Sequence, residues 1–141
     1  MKSLSILLAE DNEADVVLTS ELLRQIGDDV SIDVVKDGFE AICYLKKEGN
    51  YINAKAPDLV LLDINMPKID GREVLKFIKT TDQLSSIHVI MYTSSHLESD
   101  ILYCHNNGCN LYLNKADSMA HYLKIINAMK DYVQTHFANK F

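Results

Sequence analysis

At 141 residues with a net charge of −6, the chain is long enough for one domain with a sizeable core and too acidic to coat a nucleic-acid backbone. Its three cysteines are irregularly spaced and its five histidines lack zinc-site spacing, which argues against a disulfide framework and favours a reducing cytoplasm. No apolar stretch approaches the roughly 20 residues of a membrane span, and Met1-Lys2-Ser3 leads straight into a core strand, so neither a signal peptide nor a membrane partner is expected.

The first short apolar run, Ile6 to Ala9, reads as a buried strand and ends in the acidic pair Glu10-Asp11. Asn12 or Asp11 can cap a helix that keeps Ala14, Leu18, Leu22 and Ile26 on one side and stops at Gly27. Val30, Ile32 and Val34 then alternate with Ser31, Asp33 and Val35, the pattern of an edge strand, and Asp37-Gly38 turns the chain into a second helix. That helix carries Phe39, Ala41, Ile42 and Leu45 and stops at Gly49. Residues 50–58 have no period and form a surface loop longer than usual before Pro57 and the next strand, either a binding feature or a tolerated insertion.

Leu59-Val60-Leu61-Leu62 is too short and unbroken for an amphipathic helix and reads as a strand buried on both faces. Asp63 stands at its end. Pro67 cannot continue a ladder, and Asp70-Gly71 opens a third helix through Val74, Leu75, Phe77 and Ile78 to about Thr80, so Asp63 sits on a strand-turn-helix platform. A fourth strand, Val89 to Tyr92, ends in Thr93-Ser94-Ser95, and a fourth helix follows, capped between Ser94 and Ser99 and closed by Gly108. A fifth strand, Leu111 to Asn114, ends in Lys115, and Met119, Tyr122, Leu123, Ile126, Met129, Val133 and Phe137 repeat at helical spacing, most of them as core. All five glycines fall at junctions, which leaves none for a phosphate-cradling loop.

Four strands thus end in acid, acid, hydroxyl and amine. The set Glu10-Asp11, Asp63 with Met66-Pro67 and Asp70-Gly71, Thr93, Tyr112 and Lys115 resembles, in order and spacing, the receiver domain of two-component response regulators, the family that includes the chemotaxis regulator. The resemblance covers nearly the whole chain and implies a flavodoxin-like α/β fold: a five-stranded parallel sheet, order 2-1-3-4-5, with five helices on both faces. It implies residues 1–141 as a single receiver domain with no effector domain, not an enzyme in its own right but a phosphoacceptor that assists its own phosphorylation and dephosphorylation. Thr93-Ser94-Ser95-His96 and the long loop before Pro57 are similar to the small receivers paired with bacterial phytochrome kinases.

Three carboxylates at one pole repel one another and favour either partial protonation or a bound cation, and an oxygen-only set suits Mg²⁺. Asp11 and Asp63 are the expected direct ligands; the resemblance adds the backbone carbonyl of Asn65, with Glu10 one shell out through water. It also implies phosphorylation at Asp63, assisted by Lys115 and the Thr93 hydroxyl, and a switch pair formed by Thr93 and Tyr112. Read as structure alone, Lys115 would pair with Asp63 and Tyr112 would be an ordinary half-buried aromatic. Two positions depart from the family: Ala116 replaces the usual proline, so the Lys115–Ala116 bond can be trans, and Glu10 replaces the commoner aspartate. A Mg²⁺-dependent aspartyl-nucleophile phosphatase is the alternative, but the position for its general acid holds Asn65. Output is expected through partners: a histidine kinase or histidine phosphotransfer protein at Val16 and Val17 of the first helix, and a downstream protein or second copy at Ile125 and Tyr132 of the last helix.

Overall fold

The computed structural model describes residues 3–27 and 29–140; the Met1-Lys2 stretch lies outside the described residues. The elements run β1 (Leu4–Ala9), α1 (Glu13–Arg24), β2 (Val30–Val35), α2 (Gly38–Lys46), β3 (Leu59–Leu62), α3 (Gly71–Thr80), β4 (His88–Thr93), α4 (Glu98–Asn106), β5 (Leu111–Asn114) and α5 (Met119–His136). The strands form one parallel sheet in the order β2-β1-β3-β4-β5. Leu59, Val60, Leu61 and Leu62 are all fully buried, because alternate side chains of this central strand enter opposite layers. Val60 and Leu62 join α2, α3 and α4 on one face, whereas Leu59 and Leu61 join α1 and α5 on the other.

Local chemistry sets most helix starts. Asn12, Asp37, Asp70 and Ser118 each accept a backbone N–H from the first turn they cap, at 2.7 to 3.2 Å, and such a cap contributes about 1 kcal/mol. Gly108 closes α4 in the left-handed region (φ 85°), but two other helix ends depart from the glycine rule. α1 stops at Arg24, before Gly27, and α2 stops at Lys46, where Lys47 rather than Gly49 takes the left-handed cap (φ 58°).

Two helix faces differ from expectation. On α1 the buried residues are Thr19, Ser20, Leu22 and Leu23, while Ala14 and Leu18 are exposed, so the helix is rotated by about one residue from the stripe that apolar character marks. On α5 the buried row is Ile125, Ile126, Met129 and Val133, with Met119 and Leu123 exposed. Ile125, expected on a partner surface, is only 2% exposed and belongs to the core between α5 and the sheet.

Gly71 locks α3 against the end of β3. Its N–H donates to the Ile64 carbonyl at 2.8 Å, and a Cβ at this position would lie 2.1 Å from the Asp63 carbonyl oxygen. Gly71→Ala is expected to destabilise the fold by about 1–3 kcal/mol, since the contact is with backbone and cannot be relieved by a rotamer change. A lowered urea midpoint with an unchanged slope is the expected reading; an unchanged midpoint would refute this packing role.

Candidate functional site

Parallel strands deliver all their carboxyl ends to one edge, and the register aligns them: Ala9 pairs with Leu62, and Leu62 with Met91. Glu10 and Asp63 therefore emerge side by side, tied further by the Asp63 N–H to the Ala9 carbonyl at 3.1 Å. Glu10 is 2% exposed and Asp63 is 6% exposed, whereas Asp11 faces solvent. Carboxylate oxygens of these three residues lie within 4.8 Å of one another, a hard-oxygen set with one open side that fits a divalent cation with bound waters.

Lys115 enters from the end of β5, its backbone N–H held by the Thr93 carbonyl at 3.0 Å. Its Nζ donates to Glu10 Oε1 at 2.5 Å, Asp15 Oδ2 at 2.8 Å and Asp63 Oδ2 at 3.0 Å. Burial alone would push the ammonium pKa down, but the hydrogen bonds to Asp15, Glu10 and Asp63 outweigh it and hold it above the ordinary value. Burial moves Glu10 up from the usual carboxylate range, opposed by Lys115 and by the Asn12 N–H on its Oε2 at 3.1 Å. Glu10, Asp11, Asp15 and Asp63 against one ammonium leave a surplus of negative charge, as a cation site requires. The Lys115–Ala116 bond is trans, as no cis peptide occurs among the described residues. Lys115 nonetheless reaches Asp63.

Thr93 is fully buried, and its Oγ1 accepts the Ser95 N–H at 3.3 Å. Tyr112 is half-buried, packs against the layer containing α2 to α4, and donates its hydroxyl to the Ser95 carbonyl at 2.9 Å. Asn65 is exposed beside the pocket, its N–H donating to Asp63 Oδ1 at 3.3 Å. Among the partner-surface candidates, Val17 is 63% exposed, but Val16 is half-buried against the core and Tyr132 is half-buried with its hydroxyl 2.5 Å from His88 Nδ1. Asp15 is the pocket residue that the sequence reading missed; its one signal was an acid in the first turn of the helix that follows Glu10-Asp11.

A doubly covered parallel sheet with this acidic edge defines a receiver domain, and the chain belongs to the response regulator receiver domain family, matching it over residues 6–127. It is a component of two-component signalling. It is similar to response regulator Rcp1 of Synechocystis sp., 37% identical over 127 residues, 90% of this chain and 86% of that protein. Among solved structures it is similar to the phosphorylated cyanobacterial phytochrome response regulator RcpA (38% identical, TM-score 0.85, 92% of this chain and 93% of that one). It is also similar to the Mn²⁺-bound form of Rcp1 (35% identical, TM-score 0.84, 97% of this chain and 94% of that one). Among the described residues no helix is long and apolar enough to cross a membrane.

Proposed function

We propose that the protein accepts a phosphoryl group on Asp63 from a histidine kinase or histidine phosphotransfer protein, in a Mg²⁺-dependent reaction, and signals through protein partners. The observation that carries this reading is the buried Asp63 carboxylate sharing the Lys115 ammonium with Glu10 and Asp15 beside the exposed Asp11. Asp63 Oδ1 attacks phosphorus as the bond from phosphorus to the donor imidazole nitrogen breaks, that nitrogen keeping the bonding electrons. Lys115 and the Thr93 hydroxyl then hydrogen-bond phosphoryl oxygens that gain charge. Asp11 and Asp63, with the Asn65 carbonyl, would hold Mg²⁺, Glu10 acting through water; when bound, the ion supplies positive charge toward the same oxygens. Phosphorylated RcpA and Mn²⁺-bound Rcp1, as similar proteins, support both parts. The direct test is intact mass after incubation with acetyl phosphate and Mg²⁺, which should show one added phosphoryl group.

Kinase docking belongs on α1 and the start of α5. Asp15 anchors α1 in the pocket, Gln25 of α1 donates to the Tyr122 hydroxyl of α5 at 3.1 Å, and Leu18 and Tyr122 line a small cavity with Lys115 and Ala116. Val17 and Leu18 on α1 and Met119 and Leu123 on α5 are 63%, 61%, 71% and 54% exposed, apolar side chains open to a helical partner. Leu18 thereby takes the place first expected of Val16. Val17→Glu should lose transfer from the kinase by about 10-fold or more while acetyl phosphate labelling is unchanged; equal loss of both would refute docking here. Output to a downstream protein or second copy through β5 and α5 rests on Tyr132, since Ile125 is buried.

A further inference from the structure

Three carboxylates are buried among the described residues: Glu10, Asp63 and Asp100. The first two form the pocket, whereas Asp100 lies on α4 and touches neither Lys115 nor the cation-binding set. A desolvated carboxylate is costly unless its neighbours satisfy it, so its partners are informative. Asp100 Oδ2 accepts the Ser95 hydroxyl at 2.6 Å, and Oδ1 accepts Nη1 of Arg72 at 3.3 Å. The Arg72 guanidinium also lies 4.0 Å from the centroid of the Tyr103 ring. Asp100 and Tyr103, one turn apart, thus grip Arg72 from one face of α4.

Each end of this connection reaches the proposed chemistry. Arg72 follows Gly71, which is wedged against the Asp63 carbonyl and hydrogen-bonded to Ile64. Ser95 stands two residues after Thr93, and its N–H points at Thr93 Oγ1. The Ser95 carbonyl accepts both the Tyr112 hydroxyl at 2.9 Å and the Asn114 amide at 2.7 Å, and its Oγ accepts the Leu97 N–H at 3.3 Å. Ser95 is therefore held by β5 and α4 at once, and Asp100 is its tie to α3.

We propose that Arg72 and Asp100 are positioning residues for phosphoryl transfer, forming a strap that joins the loop of the acceptor Asp63 to the loop of the Thr93 hydroxyl. The proposal rests on the reading of Asp63 as acceptor. A hydroxyl has one proton to donate. With the Ser95 N–H fixed on the Thr93 oxygen, that proton stays available for a phosphoryl oxygen. Cutting the tie to α3 leaves Ser95 held by β5 and the start of α4 alone, so the hydroxyl loop shifts, the proton turns to local acceptors, and a smaller fraction of molecules is aligned for reaction.

The test is the rate of labelling by acetyl phosphate at saturating donor and Mg²⁺, with Mg²⁺ affinity measured separately by titration calorimetry. Asp100→Ala is expected to slow the saturated rate by about 10-fold with donor half-saturation and Mg²⁺ affinity unchanged, whereas a purely structural lesion would move all three. Asp100→Asn should recover most of the rate, because its amide oxygen accepts the Arg72 guanidinium while its NH2 donates to the Ser95 oxygen, which keeps both ends of the strap joined. Arg72→Ala should slow labelling, and adding it to Asp100→Ala should cost nothing further, since both act through one strap. Labelling of the wild-type protein together with wild-type rates in Asp100→Ala and Arg72→Ala, additive losses in the double variant, or an equal fall in Mg²⁺ affinity would each overturn the strap and leave Asp63 as acceptor. No labelling of the wild-type protein would overturn the acceptor reading itself, and the strap with it.

Discussion

Asp63→Asn should remain at its unmodified mass after incubation with acetyl phosphate and Mg²⁺, under conditions in which the wild-type protein gains one phosphoryl group. The specificity follows from the occupancy of the carboxylate oxygens. Both oxygens of Glu10 are engaged, Oε1 by Lys115 at 2.5 Å and Oε2 by the Asn12 N–H at 3.1 Å. Asp63 binds Lys115 through Oδ2 at 3.0 Å, and its Oδ1 has only a 3.3 Å contact from the Asn65 N–H. Asp63 therefore offers the freer oxygen within reach of the ammonium and the cation set, whereas Asp11 is exposed and makes no contact with Lys115. An amide preserves the size of the side chain but is a poor nucleophile, so chemistry is lost without a cavity. Full labelling of the variant would move the acceptor elsewhere.

Lys115→Ala should cost about 3–5 kcal/mol of metal-free stability at neutral pH, because it leaves Glu10 and Asp63 as buried charges without their cation. Lys115 side-chain exposure is 13%, and that of Glu10 and Asp63 is 3% and 7%, so solvent screens this cluster little. The pH dependence has a definite sign. A buried glutamate with a raised pKa takes up protons more readily folded than unfolded, so the variant loses stability as pH rises from the ordinary value of 4.5, and its deficit shrinks below that. In the wild-type protein the raised Lys115 pKa works in the other range: its contribution is complete below the ordinary lysine value of 10.5 and lost as pH rises through the higher folded value. Mg²⁺ should restore part of the variant's stability, about 2.7 kcal/mol at a free concentration 100 times the dissociation constant. Urea denaturation with and without Mg²⁺ reads both effects. A variant as stable as the wild-type protein without metal would show that Lys115 does not neutralise the pocket.

Much of this site was legible in local sequence. Short apolar runs ending in Glu10-Asp11, Asp63, Thr93 and Lys115 become strands whose carboxyl ends share one edge, because parallel strands joined by helices leave no other arrangement. Capping residues were equally local, and Asp37 and Asp70 start their helices where expected. The helix-face failures share one cause. Rotation of a helix about its axis is set by what lies beneath it, and one residue is about 100°. Apolar character alone therefore turned Leu18 inward and Ile125 outward, whereas the packed structure buries Thr19, Ser20 and Ile125 and exposes Leu18.

The sequence by itself determined the order of elements, the fold class and the residues at the strand ends, since each depends on neighbours a few positions away. Only the tertiary structure decided that Asp15 joins Lys115 across 100 positions and that Arg72 meets Asp100 across 28. No periodicity records such contacts. They arise when the α1 and α3 helices are laid on the sheet at distances and rotations set by the whole core, and the charges then find the partners that packing places within reach.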